Sequence, residues 1–181
     1  MRPVICALFA LIASACTAFA TARVTLILQF DAAHSEQSVS EMKSELQSLM
    51  RGAGVELNWR RIDEISASDS FPSVVVVTFH GSCEMSPLAP PLPSEPVALA
   101  STHLSNGRVI PFADVECDRI RSSLRSAHAE PGNTGDLLFG RAMGRVLAHE
   151  LHHIIDRTRA HTRHGIMRKS LSPRDLIADR T

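Results

Sequence analysis

The pattern of apolar and polar positions in the first half of the chain predicts one helix and three strands. Residues 23–30 and 73–80 are rich in β-branched side chains, and the second of these runs is typical of a strand buried on both faces. Residues 55–60 alternate apolar and polar side chains, as a half-buried strand does. Apolar residues recur at helical spacing over residues 35–50, which predicts an amphipathic helix. This order of elements indicates an α/β layer, with the first strand inside the sheet.

Proline and glycine interrupt regular structure in the second half. Residues 87–96 contain five prolines and are expected to form a loop or an extended segment. The pair Asn106-Gly107 is a strong hairpin signal, so residues 97–103 and 108–112 are predicted to form a two-stranded element at the sheet edge. A short helix is expected over residues 115–126.

The glycine- and proline-rich residues 131–135 predict a loop. Near the end of the chain, Ser172 is followed by proline at the first helical position and by Asp175 three residues after the cap. This arrangement is a capping box and predicts a short terminal helix.

The first twenty residues have the layout of a signal peptide. Arg2 precedes an apolar run that ends in the small-residue pattern Ala18-Phe19-Ala20, so cleavage is expected after Ala20. The run contains polar residues and is shorter than the roughly 20 residues of a spanning helix, so we expect no stable membrane insertion after cleavage. A lipoprotein attached through Cys16 is a weaker alternative. The protein is therefore expected in the periplasm or outside the cell.

Length and charge limit the remaining organisation. The whole chain has 181 residues, and residues 21–181 suit a single domain with a hydrophobic core, which we expect to be a monomer. Nineteen basic residues balance nineteen acidic ones, so no net charge favours nucleic acid as a partner. Signal removal leaves Cys83 and Cys117, and an even pair in an oxidising compartment predicts a disulfide between them.

A helix predicted over residues 136–157 carries the candidate chemistry. It is apolar around most of its circumference, with a narrow polar stripe of Arg141, Arg145 and His152, so it is expected to be buried. It contains His149-Glu150-Leu151-His152-His153, which has the pattern HExxH. His152 belongs to the polar stripe and is expected to be solvated.

The spacing of this motif is typical of a zinc site. Residues four apart share one helix face, so His149 and His153 present two imidazoles to one ion. Glu150 is placed to accept a proton from a metal-activated water that attacks a peptide carbonyl. Ordinary partly buried histidines are the competing interpretation, but unpaired polar groups on a buried helix cost roughly 1–3 kcal/mol each, which a metal site would offset.

Downstream of the helix, His161 and the turn Gly165-Ile166-Met167 make the chain resemble the metzincin-like zinc peptidases, whose motif is HExxHxxGxxH with a later methionine turn. Here Asp156 stands at the glycine position and Arg159 at the third histidine position. The chain is similar to a variant in small exported bacterial proteins, in which seven residues separate HExxH from the next histidine.

The resemblance implies a zincin-like α/β (α+β) fold, in which a twisted mixed sheet packs on a buried active-site helix and a small C-terminal part follows. An edge strand would run along the substrate cleft. It implies Zn²⁺ as cofactor, His149, His153 and His161 as ligands, Glu150 as the catalytic base, and Met167 as the hydrophobic floor.

The third ligand stays open on the residues themselves, because His161, His164 and Asp156 compete. Asp156 returns to nearly the same helix face as His149, whereas tetrahedral zinc needs a ligand from another direction, which favours His161. Asp175 is a further acidic candidate, although its capping role explains it.

We therefore expect zinc-dependent hydrolysis of peptide bonds in peptide or protein substrates. The alternative function is a catalytically inactive, zinc-stabilised binding module, for which the departures at Asp156 and Arg157 are a sign. The sequence predicts no particular cleavage specificity.

Overall fold

The computed structural model describes residues 22–85, 98–126 and 132–179, in which five strands form one mixed sheet. The strands are β1 (Ala22–Phe30), β2 (Val55–Arg61), β3 (Val74–His80), β4 (Ala100–Ser105) and β5 (Arg108–Glu116). The helices are α1 (Glu36–Gly52), α2 (Cys117–Ser126), α3 (Asn133–Ile155) and α4 (Pro173–Ile177), and a 3-10 turn covers Ile62–Glu64. The expected signal peptide and the proline-rich segment 87–96 lie outside the described residues.

The strand order is β2-β1-β3-β5-β4, which places β1 inside the sheet, as predicted. The pairs of β1 with β2, of β1 with β3, and of β3 with β5 are parallel, whereas β4 is antiparallel to β5. The Asn106-Gly107 turn connects these last two strands, and both of its residues adopt positive φ. The predicted hairpin at the sheet edge is therefore confirmed, and β4 is an edge strand.

The core lies between one face of the sheet and the helices α1 and α3. On β3, Val75, Val77 and Phe79 are buried toward this core, while Val74 and Val76 on the other face are only half-buried. The expectation that this strand is buried on both faces is therefore wrong, because the packed helices lie on the face of Val75, Val77 and Phe79.

Helices α1 and α3 approach each other closely through two glycines. A Cβ atom at Gly140 would lie closer than 3.0 Å to the backbone oxygen of Ser38, and one at Gly144 would lie 2.9 Å from the backbone oxygen of Met42. The small residues thus let α3 lie against α1 backbone to backbone. This contact fixes the helix that carries the candidate site.

Arg145 is buried beside this contact, with 9% exposure, rather than lying in a solvated stripe. Its Nε donates to Glu45 on α1 at 2.8 Å, and its terminal nitrogens donate to the carbonyl oxygens of Asp175 and Ala178. These partners satisfy the guanidinium, which is how a cation comes to be buried in the helix interface.

Two predicted boundaries are wrong. Helix α3 begins at Asn133, inside the segment expected to be a loop, because Gly132 serves as its N-cap and Asp136 provides a negative charge in the first turn. Strand β5 continues to Glu116 because its second half pairs with β3, so α2 begins only at Cys117. The terminal helix α4 has the predicted capping box between Ser172 and Asp175.

The predicted disulfide between Cys83 and Cys117 is present, with Cα atoms 5.0 Å apart. Both cysteines are buried in the hydrophobic core, and they join the segment after β3 to the start of α2. Among the helices of the described residues, none has the length and apolar character needed to cross a bilayer.

Candidate metal centre

Three histidine rings meet at the C-terminal part of α3. His149 and His153 lie one turn apart on the helix, and His161 reaches them from the segment that follows it. Each offers one ring nitrogen, and these three atoms all lie within 4.8 Å of one another. The ring centroids are 4.6 Å apart for His149 and His153, 5.1 Å for His149 and His161, and 4.9 Å for His153 and His161. The sequence-predicted trio is therefore brought together.

Backbone carbonyls orient the two helix histidines. The Nδ1 atom of His149 lies 2.9 Å from the carbonyl oxygen of Ile166, and the Nδ1 atom of His153 lies 2.9 Å from that of Thr158. A carbonyl oxygen only accepts, so each Nδ1 carries the ring proton and donates it. In the neutral rings both Nε2 atoms then present lone pairs.

The two Nε2 atoms lie 3.0 Å from each other. Two lone pairs at this separation repel unless a proton or a metal cation lies between them. Two nitrogens bound at 2.0–2.1 Å to one tetrahedral zinc lie about 3.3 Å apart. The observed spacing therefore suits a shared cation.

The end of α3 supplies one of these orienting carbonyls. The amide of Arg157 donates to the carbonyl of Ile154, and that of Thr158 donates to the carbonyl of His153, which is the Schellman pattern of hydrogen bonds. Arg157 takes the left-handed conformation, with φ of 49°, and Asp156 stays in the right-handed helical region. The left-handed residue at this helix end is therefore Arg157, one position after Asp156.

A turn brings His161 and Ile166 to the same place. The amide of Thr162 donates to the carbonyl of Met167 at 2.8 Å, and Gly165 has φ of 75°, which favours glycine. This turn places the carbonyl of Ile166 at Nδ1 of His149. It also places the ring of His161, the residue before Thr162, against the rings of His149 and His153. Met167 is partly buried in the turn.

His161 has a pKa below its ordinary value. Although His161 is exposed, partial desolvation of its ring is the largest cause, followed by the charges of His149 and His153; Lys169 acts in the same direction and Glu150 opposes them. The lowered pKa favours the neutral ring, which is the form that binds metals.

Glu150 is buried, with 7% exposure, and points toward edge strand β4. The hydroxyl of Thr102 on β4 donates to Oε2 of Glu150 at 2.6 Å and lies 3.3 Å from its backbone oxygen. Sequence reasoning missed Thr102. The alternation of side chains along β4 would have placed Thr102 on the inner face of the sheet. Its contact with Glu150 depends on the fold, which brings β4 next to α3.

The competing ligand candidates lie elsewhere. Neither His164 nor Asp156 belongs to the group of three found in the described residues. His164 is exposed, as His161 is, and a carboxylate oxygen of Asp156 lies 3.4 Å from Nδ1 of His152. His152 is more enclosed than expected, with 22% of its side chain exposed. The carboxylate of Asp175 accepts hydrogen bonds from the amide and hydroxyl of Ser172, the amide of Asp175 donates to that hydroxyl, and the carboxylate pairs with Arg168, in keeping with its predicted capping role.

A cleft of about 740 Å³ opens over the three histidines and Glu150. Its remaining lining comes from β4 and the residues just before it, the start of β5, one residue each of α2 and α3, and the segment after α3. These residues are Ala98, Leu99, Ala100, Ser101, Thr102, Leu104, Val109, Ser123, Val146, Thr158, Arg159, Arg168, Lys169, Ser170 and Leu171.

Comparisons with family models, with curated proteins and with solved structures found no match to this chain.

Proposed function

We propose that this protein is a zinc-dependent peptidase of zincin-like architecture, with His149, His153 and His161 as the metal ligands. The observation that carries the proposal is the pair of Nε2 atoms 3.0 Å apart, each fixed as an acceptor by a carbonyl on Nδ1. His161 adds a third nitrogen from a different direction. Three imidazoles, two of which have hydrogen-bonded outer nitrogens, form a donor set that suits zinc and leaves a fourth position open.

Zinc held there would supply Lewis acidity, which polarises a peptide carbonyl and makes water acidic near neutral pH. Glu150 lies next in sequence to His149, is buried beside the histidines and lines the same cleft. Its carboxylate takes a proton from the attacking water as the water oxygen bonds to the carbonyl carbon. When the carbon–nitrogen bond breaks, the same group gives that proton to the departing amine.

Thr102 holds the base in position. Its hydroxyl donates to Oε2 of Glu150, so the other carboxylate oxygen is the one left to take the proton. The bond also ties α3 to β4, whose outer edge pairs with no strand in the described part of the chain. An extended peptide laid along this edge would have its backbone beside Glu150.

The test is metal content and peptide hydrolysis in wild type, Glu150→Gln and the control Glu56→Gln, whose residue is exposed on β2. We expect about one zinc per chain in all three, with hydrolysis in wild type and control and loss of at least about 100-fold in Glu150→Gln.

Two other results would change the conclusion. Zinc at one equivalent without hydrolysis of a broad peptide library would favour the metal-stabilised binding module. Absence of bound zinc after reconstitution would contradict both functions.

A further inference from the structure

The two walls of the cleft differ in charge. On the β4 side the lining is neutral and includes Ala100, Thr102 and Leu104. The other wall comes from lining residues between 158 and 171, and it contributes three cations, Arg159, Arg168 and Lys169. The one carboxylate in the described lining is Glu150, which is held by Thr102. Apart from its catalytic carboxylate the cleft is therefore basic, although the whole chain has no net charge.

The three cations are not equally available. Arg168 is engaged, because its Nη2 lies 2.8 Å from a carboxylate oxygen of Asp175 and its Nε donates to the carbonyl of Gly165. Arg159 and Lys169 are exposed, and within residues 22–85, 98–126 and 132–179 neither forms an ion pair or a hydrogen bond. Arg159 stands two residues before His161. Two available cations thus flank the proposed metal centre on one side.

We infer that the cleft selects peptides that place a carboxylate against Arg159 and Lys169, on the side of the scissile bond that faces residues 158–171. This inference rests on the proposed function and names its substrate class. A carboxylate there pairs with two cations, whereas a basic side chain at the same place would meet like charge. The carboxylate has two sources, an Asp or Glu side chain or the free C-terminus of a short peptide, and both supply the same chemistry.

Four synthetic peptides of one neutral sequence separate the sources. They combine Glu or Gln beside the scissile bond with a free or an amidated C-terminus. With the zinc-loaded protein we expect kcat/KM to be higher for peptides with a carboxylate. A preference for Glu over Gln that persists after amidation identifies the side chain. A preference for the free over the amidated C-terminus, of equal size with Glu and with Gln, identifies the C-terminus.

The responsible residues are tested with Arg159→Gln, Lys169→Gln and the double variant. Arg163→Gln is the matched control, because Arg163 is exposed, stands two residues after His161 and does not line the cleft. We expect each single variant to lose up to about fivefold of the carboxylate preference and the double variant up to about 25-fold. The wild-type preference should weaken as the salt concentration is raised. The control should keep the wild-type preference.

Failure of the inference is distinguishable from failure of the proposed function. Equal cleavage of all four peptides, unchanged in the double variant, would overturn the inference and leave the peptidase intact. If no peptide is cleaved, the affinity of the zinc-loaded protein for the same peptides, each carrying a fluorescent label, is measured by fluorescence anisotropy. Tighter binding of the carboxylate peptides that is lost in the double variant supports the inference, and affinities that do not differ overturn it.

Discussion

Replacing Gly140 with alanine should destabilise the protein although alanine is the better helix former. In a helix interior the change gains about 1 kcal/mol from propensity. Here the new Cβ would lie closer than 3.0 Å to the backbone oxygen of Ser38 and 2.8 Å from Cβ of Glu41. Because a backbone oxygen moves only with its helix, α1 and α3 must separate. Overpacking of this kind costs about 1–3 kcal/mol, and a clash with backbone belongs at the upper end. We therefore expect a net loss of about 2 kcal/mol.

The assay is reversible denaturant unfolding of wild type, Gly140→Ala and the control Gly52→Ala. Gly52 lies at the end of α1 with open space around its Cβ position, so alanine there should leave stability unchanged or raise it by up to about 1 kcal/mol. Gly140→Ala should also lower the melting temperature by about 4–8 °C. Equal stability of the two variants would refute the close approach of the helices.

Three further predictions concern the site and its supports. Arg157→Gly should raise the free energy of unfolding by up to about 1 kcal/mol, because Arg157 has a left-handed backbone conformation that favours glycine. Asp156→Gly should lower it by a similar amount, because Asp156 is in the right-handed helical region. Denaturant unfolding of the two variants measures both changes. Thr102→Val should lower kcat about tenfold with zinc retained, and Thr102→Ser should restore it; unchanged kcat in Thr102→Val would remove Thr102 from the positioning of Glu150. Hydrogen bonds from the side chain and backbone of its N-cap serine lower the pKa of Asp175 to about 2, so its contribution to stability is present above about pH 4 and lost as pH falls through 2. The difference in unfolding free energy between wild type and Asp175→Asn should shrink over that range, and a constant difference would contradict the assignment.

The sequence predicts those elements whose conformation depends only on residues close by in the chain. The β-branched run of β3, the turn at Asn106-Gly107 and the capping box at Ser172 each depend on neighbours in sequence. The spacing of His149 and His153 likewise needs only a helix. The sequence therefore predicts that these features exist and where they lie, although it does not predict that β3 packs on one face only.

Features that depend on distant partners were missed. Arg145 is buried because Glu45, 100 residues away, accepts its hydrogen bond, and a helical projection shows no such partner. Thr102 acquires its role because the fold brings β4 against α3, 48 residues along the chain. The left-handed residue stands at Arg157 because hydrogen bonds at the helix end decide its position, and no glycine marks it.

The assignment of His149, His153 and His161 as zinc ligands is tested by measuring zinc affinity in single variants. The set is His149→Ala, His153→Ala and His161→Ala, with His164→Ala and Asp156→Ala as controls from the same region. We expect each of the first three variants to lose zinc affinity by at least about 100-fold, since a ligand is removed, while both controls keep the wild-type value. Wild-type affinity in His161→Ala, together with loss in one of the controls, would contradict the assignment of the site.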